Sequence, residues 1–234
     1  MSSIHRQHGF TLVEMAIVLV IIGLLLGGIL KGQELITSAR VRNIADQNSG
    51  VQAAYYGFID RYRQVPGDWG RLNAAKAIPG VNNGGNASGR LDGEGFVEAL
   101  ALWEQLSKSG FIQGSYSGTN KVPTQDDVDL APRNAFNGFL MLFSSDDYKD
   151  VSSSPSEKLN LVLGSKIPVN VIAELDRKID DGLPLSGVVR QAVTDGGHFN
   201  DISHSQPACV DTTPTPNIWD IAKNEQNCNG VYLY

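Results

Sequence analysis

The chain has 234 residues, 41% hydrophobic and 19% charged, with 19 Lys plus Arg against 25 Asp plus Glu and a formal net charge of -6. That apolar content supplies one sizeable core and excludes a disordered tail, while the acidic balance lacks the basic excess that nucleic-acid binding uses. The 25 Gly and 10 Pro point to a loop-rich domain and fall short of low-complexity sequence.

Residues 1–9, MSSIHRQHG, are polar and carry His5, Arg6 and His8. From Phe10 to Leu30 the sequence is almost wholly apolar, broken by Thr11, Glu14 and a few glycines. At about 1.5 Å per helical residue this run reaches about 30 Å, the hydrocarbon thickness of a bilayer. The basic flank orients it N-in and C-out under the positive-inside rule. After Leu30 the chain reads Lys31-Gly32-Gln33-Glu34, which offers no small-x-small cleavage site, so the apolar segment is expected to be retained. A carboxylate at Glu14 is costly in lipid unless partnered, which marks the residue as functional. The alternative is an acid that snorkels to the interface or caps the first helical turn.

Helical periodicity continues beyond the membrane run: Val41, Ile44, Val51, Tyr55, Phe58 and Tyr62 form one amphipathic stripe. One helix is predicted from Phe10 to about Arg63, spanning roughly 80 Å, with a lipid-facing first half and a second half packed on a globular head. Gly27-Gly28 is its weakest point, either a bend or a place for close helix packing. Pro66-Gly67 ends the helix, because Pro restrains the residue before it and Pro-Gly favours a turn.

The head then opens with a Gly/Asn-rich surface loop from Ile78 to Gly95 and a helix from Phe96 to Ser107, with Leu100, Trp103 and Leu106 on one face. Asn82, Asn83, Asn86, Asp92 and Glu94 supply oxygen ligands suited to a hard cation, but their spacing is not that of an EF-hand, and a plain solvated loop is the expectation. Phe136–Phe143 and Leu159–Leu163 read as buried strands. Pro168–Ile179 reads as a helix with Ile172, Leu175 and Ile179 on one face, and Val188–Thr194 and Val231–Tyr234 as further strands. A helix followed by a small, mainly antiparallel sheet is an α+β pattern. Asp195, His198, Asp201 and His204 recur every third residue, but the Gly-led polar segment that carries them reads as surface decoration and no metal is assigned to it. Cys209 and Cys228 are the two cysteines, and an even count in an exported chain favours a disulfide over free thiols. Between them, Thr212-Thr213-Pro214-Thr215-Pro216 interrupts regular structure.

The junction Gly9-Phe10-Thr11-Leu12-Val13-Glu14, behind its short basic leader, resembles the cleavage and methylation site of type IV prepilins and related pseudopilins. The resemblance implies that a membrane-embedded prepilin peptidase and methyltransferase cuts between Gly9 and Phe10 and methylates the new Phe10 amine. It also implies that Glu14 meets the Phe10 amine of an adjacent subunit as the helix leaves the bilayer for a filament. Pro66-Gly67-Asp68, Asn82 to Gly85, Trp103-Glu104-Gln105-Leu106, Gly110-Phe111-Ile112 and Gly114-Ser115-Tyr116 are similar to a subset of pilin-like proteins.

The implied fold is α+β and pilin-like: a long N-terminal helix, membrane-spanning in its first half, packed on a small, mainly antiparallel sheet. The implied organisation is a prepilin leader at 1–9, a transmembrane and assembly helix at 10–30, an amphipathic continuation at 31–63, and a head at 64–234 with a surface-exposed disulfide loop at 209–228. The implied function is a structural subunit of a type IV pilus-like filament. A minor pilin acting at the tip, in adhesion or in initiation is the alternative, as is a pseudopilin of type II secretion. Expected partners are the prepilin peptidase, other pilin subunits and the inner-membrane assembly platform. The chain would sit in the bacterial inner membrane before assembly and in an extracellular or periplasmic filament afterwards. With no G-x-S-x-G, P-loop, H-E-x-x-H or C-x-x-C in the sequence, neither an enzymatic activity nor a cofactor is expected.

Overall fold

The computed structural model describes residues 11–93, 95–119, 121–124, 126–152, 154–198 and 205–234. The chain divides into two compact units, Met1–Ala39 and Arg40–Tyr234. Helix α1 (Leu12–Tyr62) contributes to both.

In the first unit α1 is exposed along nearly its whole length, and its side chains from Leu12 to Leu30 are apolar except for Glu14 and the small residues. Helical hydrogen bonding continues through Gly23, Gly27, Gly28 and Gly32, and none of these glycines has a neighbour within 4 Å of where a Cβ would stand. Of the two alternatives for Gly27-Gly28, local unwinding is not what the structure shows, because the helix is continuous there. Leu, Ile and Val on both sides hold the helical conformation at a cost of about 1 kcal/mol per glycine relative to alanine.

In the second unit, Val41, Ile44, Asn48, Val51, Ala54, Tyr55 and Phe58 form the buried stripe of α1 that the periodicity predicts. Arg63, at φ 54, ends the helix just before Pro66. A short helix α2 (Arg71–Ala77) follows, which the sequence pattern does not reveal because it buries only Ala74. Helix α3 (Val97–Lys108) is buried on nearly every side, from Glu98 through Leu106. Strands β1 (Met141–Ser145) and β2 (Lys158–Val162), helix α4 (Val169–Ile179), and strands β3 (Val189–Gln191), β4 (Val210–Asp211), β5 (Ile218–Trp219) and β6 (Gly230–Leu233) complete the unit.

The main sheet has the order β1-β2-β6-β3, with all neighbours antiparallel. Its residues share one core with α1, α3 and α4, in which Phe58, Trp103, Phe139, Phe143 and Tyr148 are the largest fully buried aromatics. The fold is α+β, with the long helix packed on a small antiparallel sheet in the manner of a pilin.

One strand is displaced from its expected place. The apolar run beginning at Phe136 is a turn before it becomes β1, because Asn134 Oδ1 accepts from the backbone N–H of Phe136 at 2.8 Å and of Gly138 at 2.9 Å. Asn137 adopts φ 69 within that turn, and Gly138 lies so close to Ser165 O that a Cβ would stand 2.3 Å from it. Phe139 makes only an isolated antiparallel bridge to Arg133, and Phe139 and Leu140 are both buried. The smaller sheet β4–β5 brackets the Thr/Pro segment between the cysteines.

Candidate functional site

The residues expected to be processed and to direct assembly, Gly9, Phe10 and Glu14, fall in the first unit. Gly9 and Phe10 lie outside the described residues, so the site is visible from Thr11 onward. Thr11 and Glu14 form a reciprocal helix cap. The Thr11 backbone N–H and hydroxyl both donate to Glu14 Oε2, at 2.8 and 2.9 Å, and the Glu14 N–H donates to Thr11 Oγ1 at 3.2 Å. This is the pattern of a capping box, which satisfies otherwise orphaned donors at a helix start. The capping alternative for Glu14 is thus realised within one chain. It leaves the acid at the surface, where it can exchange this intramolecular donor for another. Beyond it, the exposed run to Leu30 belongs to a helix long and apolar enough to cross a membrane. Lys31 and Glu34 pair at 2.7 Å just past that run.

In the second unit, the Gly/Asn loop is organised around three acids: Asp68 and Glu104, which lie in motifs noted in the sequence, and Glu98, which the sequence reading did not single out. Glu98 receives the backbone N–H of Asn86 at 3.1 Å, of Asp92 at 3.0 Å and of Gly93 at 2.9 Å. Glu104 receives the N–H of Asn82 and of Asn83, both at 3.0 Å. Asp68 receives those of Ser88 at 2.9 Å and Gly89 at 2.8 Å. Gln105 completes the set: its Oε1 accepts from Gly67 N–H at 2.9 Å, and its Nε2 donates to Trp69 O and Asn83 O. All four side chains are buried.

The loop therefore wraps inward-pointing N–H groups around fixed carboxylates, which gives each buried charge its solvation from backbone dipoles. The Pro66-Gly67-Asp68 motif gains a physical role here. Gly67 sits at φ 88 with Glu98 O only 2.5 Å from a would-be Cβ, and Asp68 anchors the middle of the loop at Ser88 and Gly89.

The oxygen-bearing residues considered for a hard cation do not converge. Asn82 Nδ2 donates to Gly80 O and Asn83 Nδ2 to Glu104 Oε2, while Asn86 Oδ1 and Asp92 Oδ1 both accept from Ser88, at its backbone N–H and its hydroxyl. Glu94 lies outside the described residues. The loop lies largely at the surface, as expected, but turns backbone N–H groups inward onto protein carboxylates.

Of the four residues spaced by three in the C-terminal section, Asp201 and His204 lie outside the described residues. His198 is held elsewhere, with its N–H donating to Asp147 Oδ2 at 2.7 Å and its Nδ1 2.9 Å from the same oxygen. Asp195 accepts from Gly196 N–H.

Cys209 and Cys228 are joined by a disulfide with S–S 2.07 Å, and both are fully buried. The loop they close is exposed over most of its length, as expected, but it is pinned at its centre. Trp219 is buried and its indole N–H donates at 2.6 Å to Asp176 Oδ2 on α4. Asp176, itself fully buried, also accepts from Gly182 N–H at 3.1 Å. Asp180 and Asp181 stand beside it, with carboxylate oxygens of the three within 4.8 Å of one another. Burial first, offset by the two hydrogen bonds, and then the neighbouring Asp181 and Asp180 charges raise the Asp176 pKa to about 6. No sequence signal distinguishes Asp176 from an ordinary surface acid of α4. Only the burial of Trp219 does.

Residues 4–30 match the family described as the prokaryotic N-terminal methylation motif, the hallmark of type IV pilins and pseudopilins. Comparison with curated proteins gives no match.

Proposed function

We propose, starting from a chain that carries a prepilin-type N-terminal motif, that it is a structural subunit of a type IV pilus-like filament. The single observation behind this is the methylation-motif match over residues 4–30, which falls on the one described helix long and apolar enough to cross a membrane. Chains with this motif are structural and not enzymatic.

In this reading the prepilin enters the inner membrane N-in and C-out, and the prepilin peptidase cuts after Gly9 and methylates the amine of Phe10. The membrane platform then extracts the helix into a filament. Apolar side chains from Leu12 to Leu30, once out of lipid, can be shielded from water only by the same segments of neighbouring subunits. Glu14 takes the role of a registry residue. Its carboxylate exchanges the Thr11 cap for the Phe10 amine of the subunit ahead, so that both charges are neutralised in the apolar filament core. The leader 1–9, the helix 10–63 and the head 64–234 then correspond to address, assembly element and displayed surface.

The test is the mass of the chain extracted from cells with an active prepilin peptidase. The expected product starts at Phe10 with one methyl group on its amine, and Gly9→Ala blocks that processing. A chain that keeps Met1 in such cells refutes the reading. Abundant recovery in sheared surface fibres marks a major pilus subunit, scarce recovery a minor one, and retention in the periplasm a secretion pseudopilin.

A further inference from the structure

Between the main sheet and the loop closed by the cysteines lies a cavity of about 460 Å³, within the size range of small-molecule sites. Three stretches of the head supply its polar wall: the connection from β1 to β2 with Asp146 and Lys149, strand β3 with Gln191, and the disulfide loop with Thr212 and Asn217.

Gln191 is 4% exposed, and its Nε2 donates to Ser205 Oγ and Gln206 O, both at 3.4 Å. Its Oε1 accepts no hydrogen bond among the described residues, yet it is not one of the side-chain oxygens sealed from solvent, as Gln47 Oε1 and Asn160 Oδ1 are. An amide oxygen that is unpaired on a buried side chain and still reachable is an acceptor held out to whatever enters the cavity. Lys149 and Asp146 carry opposite charges, and neither makes an ion pair or a side-chain hydrogen bond among the described residues. The Thr212 hydroxyl and the Asn217 amide are equally uncommitted among them. Asp150, the other acid of the wall, is already paired with Arg190.

We propose that this cavity binds an uncharged sugar ring, a hexose or an N-acetylhexosamine. The wall offers acceptors that cannot donate, at Gln191 Oε1 and Asp146, and a donor that cannot accept, at Lys149. A hydroxyl does both, so a ligand with hydroxyls around its perimeter satisfies all of them at once. The charges of the wall cancel, Lys149 against Asp146 and Arg190 against Asp150, which leaves no net field to select an ion. A phosphate would meet Lys149 but face Asp146, and would give the Gln191 oxygen nothing to accept. A metal ion would reverse the fault by meeting Lys149 as a like charge. A free amino acid brings its two charged groups and leaves Thr212 and Asn217 unused. Between the polar groups, Pro155, Leu185, Pro207 and Val210 give the wall an apolar surface suited to the C–H face of a pyranose. The site lies wholly within the second unit and does not depend on the filament reading.

Saturation-transfer NMR on the full chain, held in a detergent without a sugar headgroup, tests this with glucose, galactose, mannose and N-acetylglucosamine as probes. The expected result is saturation of the ring protons of at least one sugar, undiminished by an excess of inorganic phosphate or glycine. Asp146→Asn and Lys149→Met should each weaken the response several-fold. Thr212→Trp, at an exposed position where an indole can occupy the cavity, should abolish it with the melting temperature unchanged. Gln191→Met should abolish it as well; if that variant fails to fold, the other three decide the matter. Absence of saturation for all four sugars, an equal response in wild type and Thr212→Trp, or displacement by glycine or phosphate overturns the assignment. None of these outcomes touches the filament reading, which is tested separately by the mass of the processed chain.

Discussion

Replacing Asp176 by Asn isolates the energetic cost of one buried charge. Its ordinary pKa of 3.8 is raised to about 6 in the folded head, chiefly by burial. A group whose folded pKa is raised binds its proton more tightly in the native state, so its contribution to stability is full below pH 3.8 and is lost as pH rises through about 6. At about 1.36 kcal/mol per unit, the swing between pH 4 and pH 7 is at most about 3 kcal/mol. Asn keeps an oxygen to accept from the Trp219 indole and Gly182 N–H, but carries no charge toward Asp180 and Asp181.

Asp127 and Asp150, both held at about 2, do not interfere. Asp127 is lowered first by the hydrogen bond from Lys121, and Asp150 first by the backbone N–H of Ser152. Their contributions are lost only as pH falls from near 4 toward 2. Urea unfolding of the Arg40–Tyr234 head at pH 4.5, 6 and 8 should show wild-type stability declining toward pH 8 and a flatter profile for Asp176→Asn. The variant should gain on wild type most at pH 8. An equal loss at all three pH values would mean that the carboxylate is a net stabilising acceptor, and would refute the reasoning.

Cys228→Ser opens a loop closed across a sequence separation of 19 and should cost about 3 kcal/mol in denaturant unfolding, with leader processing unchanged. Free thiols found by mass mapping of exported protein would contradict the bridge. Glu14→Ala or Glu14→Val should leave membrane insertion and cleavage intact, since both make the segment more apolar, but should stop efficient filament incorporation; normal filament yield would reduce Glu14 to a helix cap. Gly85→Ala places a Cβ 2.4 Å from Glu98 Oε1 and 2.7 Å from the Asp68 Cα, and should cost about 1 to 3 kcal/mol, whereas Gly50→Ala meets nothing within 4 Å and should gain up to about 1 kcal/mol. Equal effects in thermal unfolding would show that the loop tolerates displacement from its carboxylates.

The sequence discloses what depends on local pattern. The stripe from Val41 to Phe58 fixes the buried face of α1, Pro168 and the apolar face after it fix α4, and the Gly-Phe-Glu junction carries the methylation-motif match. What it hides depends on long-range neighbours. The run from Phe136 looks like strand because it is largely apolar, yet Asn134 curls Phe136 to Gly138 into a turn through hydrogen bonds that no periodicity announces. Glu98 and Glu104 look like ordinary surface acids because a charged residue on a helix usually faces water, and Asp68 because it follows a Pro-Gly turn. Their burial becomes intelligible only once the loop N–H groups that solvate them are in place. Asp176 is hidden for the same reason, since its partner Trp219 lies 43 residues further along the chain.

The position of β6 has a consequence for how the head is made. It lies between β2 and β3, and β3 has no other neighbour in the main sheet. Yet β6 is the last strand in chain order. As synthesis proceeds from the N-terminus, the β1–β2 hairpin can form early, but β3 lacks its neighbouring strand in the sheet until β6 emerges. The second cysteine, immediately before β6, arrives equally late. The cooperative closure of the head is thereby deferred until β6 and Cys228 have followed the rest of the head, so the disulfide locks a sheet whose other strands have already been made.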